Sequence, residues 1–150
     1  LPFEIKTDGK VLTSGNLEVI DSTNQTVSLS TLKTPLLVFR ITPSSCSMCV
    51  NRELNFIHLL SQNVDKSRII VLTGYDHIRE YFVFLKSHRL RVSVYNAVKL
   101  DLPADKSGNA YLFLIDEDHK VQHVFFPIQN DESFSKTYYE NIIKKYFSIV

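Results

Sequence analysis

The stretch Cys46-Ser47-Met48-Cys49 carries residue types and a spacing that can do chemistry. The chain has two cysteines in all, and both are here. Thr42-Pro43-Ser44-Ser45 joins them to an apolar run, Leu36-Leu37-Val38-Phe39, and a helical pattern begins near Ser47. At such a strand-to-helix junction the two sulfurs can close a disulfide across the first helical turn. The first sulfur also meets the unpaired N–H groups and the positive dipole end of the helix, which favour a thiolate. Thiolate is the species that attacks disulfides, so the pair reads as a centre for thiol–disulfide exchange. Two plainer readings stand beside it: a pair of small core residues, or a disulfide of purely local value.

Other chemistries find little support. Structural zinc takes four ligands as a rule, and His58, His77, His88, His119 and His123 show no spacing that closes a site with the cysteines. Asp116-Glu117-Asp118 is too short for a calcium loop and reads as a turn. The aromatic pairs Tyr138-Tyr139 and Tyr146-Phe147 sit at helical spacing and read as packing. A net charge of +1 without a basic block leaves no nucleic-acid footprint. No apolar run reaches the length of about eighteen residues that a membrane helix needs.

The elements around the pair can be read from periodicity. The chain has 150 residues, 44% hydrophobic and 22% charged, which predicts a single globular domain over 1–150 with a real core. Residues 1–15, with an Asp8-Gly9 turn, read as an irregular or short-strand lead-in. Alternation in Leu17–Ile20 and Thr26–Leu29 around a polar turn predicts a β-hairpin. Pro35–Ile41 is apolar enough for a central strand covered on both faces. A helix from Ser47 to about Gln62 would bury Val50, Leu54, Ile57 and Leu60. Arg68–Leu72 is a second buried strand. Asp76 is the expected cap of a helix to His88, with Ile78, Tyr81, Phe82 and Leu85 inward. Arg91–Tyr95 is a short strand, and 96–109 a loop with room for one helical turn. Ala110–Ile115 and Lys120–Phe126 form a hairpin. Asp131 or Ser133 caps a last helix with Phe134, Tyr138, Ile142 and Tyr146 on one stripe. Strand–helix alternation followed by a hairpin predicts an α/β fold: a mixed central sheet with helices on both faces and an N-terminal β-hairpin.

This order, with Cys-x-x-Cys after the first central strand, resembles the thioredoxin-like thiol–disulfide oxidoreductases, in particular the TlpA-like and alkyl-hydroperoxide-reductase-like bacterial envelope proteins. The matching pieces are Leu17–Asp21 with Val27–Leu29, Leu36–Phe39 before Cys46–Cys49, Glu53-Leu54 just beyond, and Phe113–Asp116 with Lys120-Val121. They cover roughly residues 16 to 147. Two positions depart from the family. Its cis-proline, which packs beside the cysteines and shapes the substrate groove, falls at Ala110, preceded by Asn109. A cis bond there would cost about 3–4 kcal/mol, so a trans Asn109–Ala110 peptide is expected. The family's glutamate, three residues after the second cysteine, is replaced by Arg52, with Glu53 one position later.

The resemblance implies an attacking Cys46, a resolving Cys49, and protein disulfides as substrates, with a redox partner protein and no organic cofactor. It also implies a bacterial periplasmic or envelope setting. Because the chain starts at Leu1, an upstream segment (signal peptide, lipid-anchor peptide or tag) is expected to have been removed, and an N-terminal membrane tether would lie there. Ser47 and Met48 add no charge, so further acidity at Cys46 must come from Arg40 or Arg52. Met48 offers either an apolar rim or packing. Glu53 is either a proton acceptor for Cys49 or a solvated, dipole-friendly residue. Pro43 and Phe39 occupy the positions where a peroxidase motif needs a hydroxyl and a proline, so that activity is not predicted. The alternative from another functional class is a thioredoxin-fold binding or scaffold module that has lost catalysis with the proline.

Overall fold

The structure is a computed structural model and describes residues 4–5, 10–11 and 18–147. Leu17 and the Asp8-Gly9 turn lie outside the described residues. The strands are β1 (Glu4–Ile5), β2 (Lys10–Val11), β3 (Glu18–Ile20), β4 (Thr26–Ser28), β5 (Leu36–Ile41), β6 (Ile69–Thr73), β7 (Ser93–Asn96), β8 (Tyr111–Ile115) and β9 (Lys120–Phe125). The helices are α1 (Ser47–Ser61), α2 (Ile78–His88) and α3 (Ser133–Ile142). One mixed sheet runs β1-β9-β8-β5-β6-β7-β3-β4, with β2 also paired to β9.

Strand β5 lies at its centre, parallel to β6 and antiparallel to β8. All six of its residues are buried, the five apolar ones as expected and Arg40 with them. Alternate residues serve two cores. Leu37, Phe39 and Ile41 face the cluster formed with α1, α2 and α3, while Leu36 and Val38 face Val19, Leu29, Leu102 and Ala104. Helical segments therefore cover both faces, but unequally. The three α-helices share one face, and the 3-10 turns Leu29–Thr31 and Pro103–Ser107 serve the other. The steps β5 to β6 to β7 advance in one direction across the sheet, and right-handed crossovers then put α1 and α2 on the same side.

The predicted stripe of α1 is the observed one: Val50, Leu54, Ile57 and Leu60 are buried. Each such side chain contributes roughly 1.5–3 kcal/mol of burial, which anchors the helix that carries the cysteines. Elsewhere the boundaries shift. Helix α2 starts at Ile78 with His77 at its cap position and no side-chain cap bond, so Asp76 does not cap it. Ile78 is 39% exposed; Tyr81 and Phe84 are the buried positions, and Phe82 and Leu85 pack partly buried against the same core. Asp131 supports the start of α3 by accepting the Ser133 N–H at 2.9 Å. After Ile142 the chain widens into a π-helical turn, Ile143–Phe147, which adds a residue to the turn and moves the stripe on by one. Phe147 is buried in the place expected for Tyr146, and Tyr139 joins Tyr138 and Ile142 in the core.

Candidate functional site

Cys46 occupies the N-cap position of α1 with extended backbone (φ −62°, ψ 121°). Its Sγ accepts the Cys49 N–H at 3.4 Å, and its carbonyl accepts the Val50 N–H at 2.9 Å. Both cysteines are free thiols and half-buried. Their acidities are driven apart. The Cys49 thiol and N–H, then the Met48 N–H and the Arg52 charge, hold Cys46 below the ordinary thiol range against a small burial cost. Burial, the bond to Cys46 and the Cys46 charge push Cys49 up to about 11. One sulfur is thus readier to ionise than the other, and a sulfur at a helix N-terminus gains from the dipole as well.

The approach loop is held by its own hydroxyls. Ser45 Oγ accepts the Thr42 N–H at 3.0 Å, and the Ser45 N–H donates to the Thr42 carbonyl at 3.0 Å. Thr42 Oγ1 and Ser44 Oγ both donate to the Gly108 carbonyl, at 2.8 and 2.7 Å. Gly108, Asn109 and Ala110 are thereby set beside the cysteine loop. Gly108 has φ 73°, and a Cβ there would meet Ser44 Oγ at 2.9 Å, so glycine is needed at this close approach. Among the described residues the cis peptide is Thr34–Pro35, and Asn109–Ala110 is trans, as its residue types predict. Asn109 is exposed, while Ala110 is buried in the core that holds α1. Pro43 and Ser47 are exposed, and Met48 is 72% exposed, which makes it rim rather than packing.

The two residues after the pair behave differently from a solvated helix face. Glu53 is fully buried, not solvated. Its Oε2 accepts Arg52 Nε–H at 2.9 Å and Ser135 Oγ–H at 3.0 Å, and its Oε1 accepts the Tyr139 hydroxyl at 3.1 Å. Burial nevertheless dominates and keeps its carboxyl above the usual range. Arg52 also donates from Nη1 to the Gln129 carbonyl at 3.1 Å, while its Nη2 is buried without a partner. Arg52 bears on the Cys46 charge. Arg40 is buried on the opposite face of the sheet in an ion pair with Asp105 (Nε to Oδ1, 2.8 Å).

Sequence reasoning missed that pair, and it missed Ser135, Tyr139 and Gln129 as partners of Glu53 and Arg52. The available signal for the first was a lone charge within a strand predicted to be buried on both faces. Among the described residues, no group of three or more His, Cys, Asp or Glu converges to hold a metal ion. No described helix is long and apolar enough to cross a membrane.

A β-α-β unit carrying Cys-x-x-Cys at its first helix, a late antiparallel hairpin and a closing helix make a thioredoxin-like α/β fold. Solved structures share this fold. A candidate protein disulfide isomerase from Bacteroides thetaiotaomicron aligns over 93% of this chain and 91% of its own, with TM-score 0.63 and 19% identity. A thio-disulfide isomerase from Thermus thermophilus aligns over 86% and 92%, with TM-score 0.58 and 18% identity. A secreted Mycobacterium tuberculosis disulfide oxidoreductase homologous to E. coli DsbE aligns over 83% and 96%, with TM-score 0.57 and 12% identity. No family model matches the sequence, and no curated protein does.

Proposed function

We propose that this protein is a thiol–disulfide oxidoreductase, a single thioredoxin-like domain that acts on protein disulfides through Cys46 and Cys49. The observation that carries the reading is the placement of Cys46 at the N-cap of α1, its Sγ accepting the Cys49 N–H at 3.4 Å, an arrangement that lowers the Cys46 thiol and raises Cys49 behind it. In the reducing direction the Cys46 thiolate attacks one sulfur of a substrate disulfide. The S–S bond breaks, and the departing sulfur leaves as a thiolate. Cys49 gives its proton to that thiolate and attacks Cys46 Sγ, and the second substrate sulfur leaves. The substrate has gained two electrons, and the protein holds a Cys46–Cys49 disulfide. A partner dithiol protein returns the two electrons by the same exchange.

Met48, exposed beside the thiolate, supplies an apolar rim suited to unfolded or hydrophobic protein surfaces. Fold neighbours that include a secreted DsbE homologue support an envelope or periplasmic setting, where a lipid or N-terminal tether would keep the domain near its partner. The trans Asn109–Ala110 peptide favours a second reading, a binding module without turnover. Reduction of insulin disulfides by the wild type and by Cys46→Ser separates the two. Turnover that vanishes in Cys46→Ser is expected; equal activity in both, or none in either, overturns the catalytic reading.

A further inference from the structure

The segment 97–110, which leads from β7 to β8, has one 3-10 turn and little other regular structure, yet it is fastened at two levels, to β5 and to the loop that follows it. At the lower level the guanidinium of Arg40 uses all five of its N–H donors. Nε and Nη2 donate to the Asp105 carboxylate at 2.8 and 3.2 Å. Nη1 donates to the Ala97 carbonyl at 2.7 Å and to the Thr73 carbonyl of β6 at 2.9 Å. Nη2 also donates to the Val98 carbonyl at 3.3 Å. Asp105 in turn accepts the Leu100 N–H at 3.1 Å and the Tyr111 hydroxyl at 2.8 Å. At the upper level Thr42 and Ser44 hold the Gly108 carbonyl, and Ser44 is two residues before Cys46. Arg40 near the end of β5 and the cysteine loop that follows it thus hold the same segment at two points.

We propose that Arg40 is a positioning residue for the cysteine site: with Asp105 it holds segment 97–110 so that Gly108 and Asn109 form the rim on which an incoming protein disulfide is seated at Cys46. The inference rests on the redox reading above. A buried ion pair is a weak source of net stability, since its desolvation cost offsets most of the attraction. A rigid five-donor fork, in contrast, fixes the orientation of every carbonyl it engages, and a lysine with three donors does not reproduce it. Arg40 also lies on the sheet face away from α1 with its donors committed to Asp105, Thr73, Ala97 and Val98, whereas Cys49, Met48 and Arg52 act on the Cys46 thiol. Disturbing the strut should therefore change how substrate is received and leave the nucleophile's titration alone.

The test uses Arg40→Lys and, at the surface, the double variant Thr42→Val/Ser44→Ala in the full chain. Three quantities are read: insulin-disulfide reduction kinetics with dithiothreitol as recycling reductant, the pH profile of Cys46 alkylation by iodoacetamide, and the dithiol–disulfide potential against glutathione. Expected in both variants is a KM for insulin raised about tenfold with kcat nearly kept, the pattern of lost binding rather than lost chemistry. The Cys46 alkylation profile stays at its wild-type position. A KM unchanged within about twofold in a folded variant overturns the proposal. So does an alkylation profile that moves together with KM, because the strut would then act on the nucleophile and not on the rim. If Arg40→Lys fails to fold, Thr42→Val/Ser44→Ala decides alone. A wild type without any reversible dithiol–disulfide couple overturns the underlying redox reading, a result distinct from a couple that persists with KM unmoved.

Discussion

Two arginine–carboxylate pairs lie on opposite faces of the same sheet, and they are used in opposite ways. In Arg40–Asp105 every guanidinium donor is matched. Burial pushes Asp105 up, but the Arg40 hydrogen bonds and charge, with help from the Leu100 N–H and the Tyr111 hydroxyl, bring it below the usual carboxylate range. In Arg52–Glu53 the arginine keeps 18% of its side-chain surface exposed and one buried nitrogen unpartnered, and its carboxylate is the more deeply buried partner. Burial prevails there, and Glu53 stays above its usual range. The same two functional groups thus give a settled ion pair under the loop and an unsettled one one helical turn beyond Cys49. The difference lies in how many donors converge on each carboxylate and in how well the arginine is satisfied, since an unmatched buried group keeps its desolvation cost.

The comparison can be broken most forcefully at Arg40. Arg40→Met strands an Asp105 carboxylate with 12% of its side chain exposed and should cost about 3–5 kcal/mol in urea denaturation, whereas Arg52→Met, whose partner Glu53 already favours its protonated form, should cost clearly less. Next comes Gly74→Ala. A Cβ there would sit 2.8 Å from Arg40 Nη2, so a loss of roughly 1–3 kcal/mol is expected. That loss should shrink in an Arg40→Met background, and a double-mutant cycle would report additivity if Gly74 mattered for another reason.

Stability against pH sharpens the contrast through its sign. Asp105 has a folded pKa below its unfolded one, so its contribution is present above the unfolded carboxylate range and is lost as pH falls through the folded value. Glu53 has a folded pKa above its unfolded one, so the native state holds the proton more tightly and stability falls as pH rises from the unfolded range through the folded value. Glu53→Gln should remove the second slope and leave the first, as read from urea midpoints across pH. The smallest effect is chemical. Glu53 is the last of the influences that raise Cys49, so Glu53→Gln should draw the Cys49 titration modestly down from about 11, followed by thiolate absorbance.

How far the sequence foretold this follows from the range of each interaction. The stripe of α1, the late hairpin and the trans Asn109–Ala110 bond depend on neighbours within a turn or on the residue's own backbone energetics, and they were legible. The cysteine pair at a helix cap was legible for the same reason. Arg40 was not, because its partner Asp105 lies 65 positions away and nothing local specifies it. Glu53 looked like a solvated helix residue until α3 brought Ser135 and Tyr139 onto its two oxygens. The π-helical turn that exchanges Tyr146 for Phe147 has no counterpart in a fixed 3.6-residue period.

The leading hairpin has a further consequence. Strands β3 and β4 are paired to each other over three residues, yet among the described residues β3 meets the rest of the sheet at one pair, Ile20↔Asn96. In amide hydrogen exchange this hairpin should detach as a unit and lose protection early, while the amides of β5, β6 and β8 hold out to global unfolding.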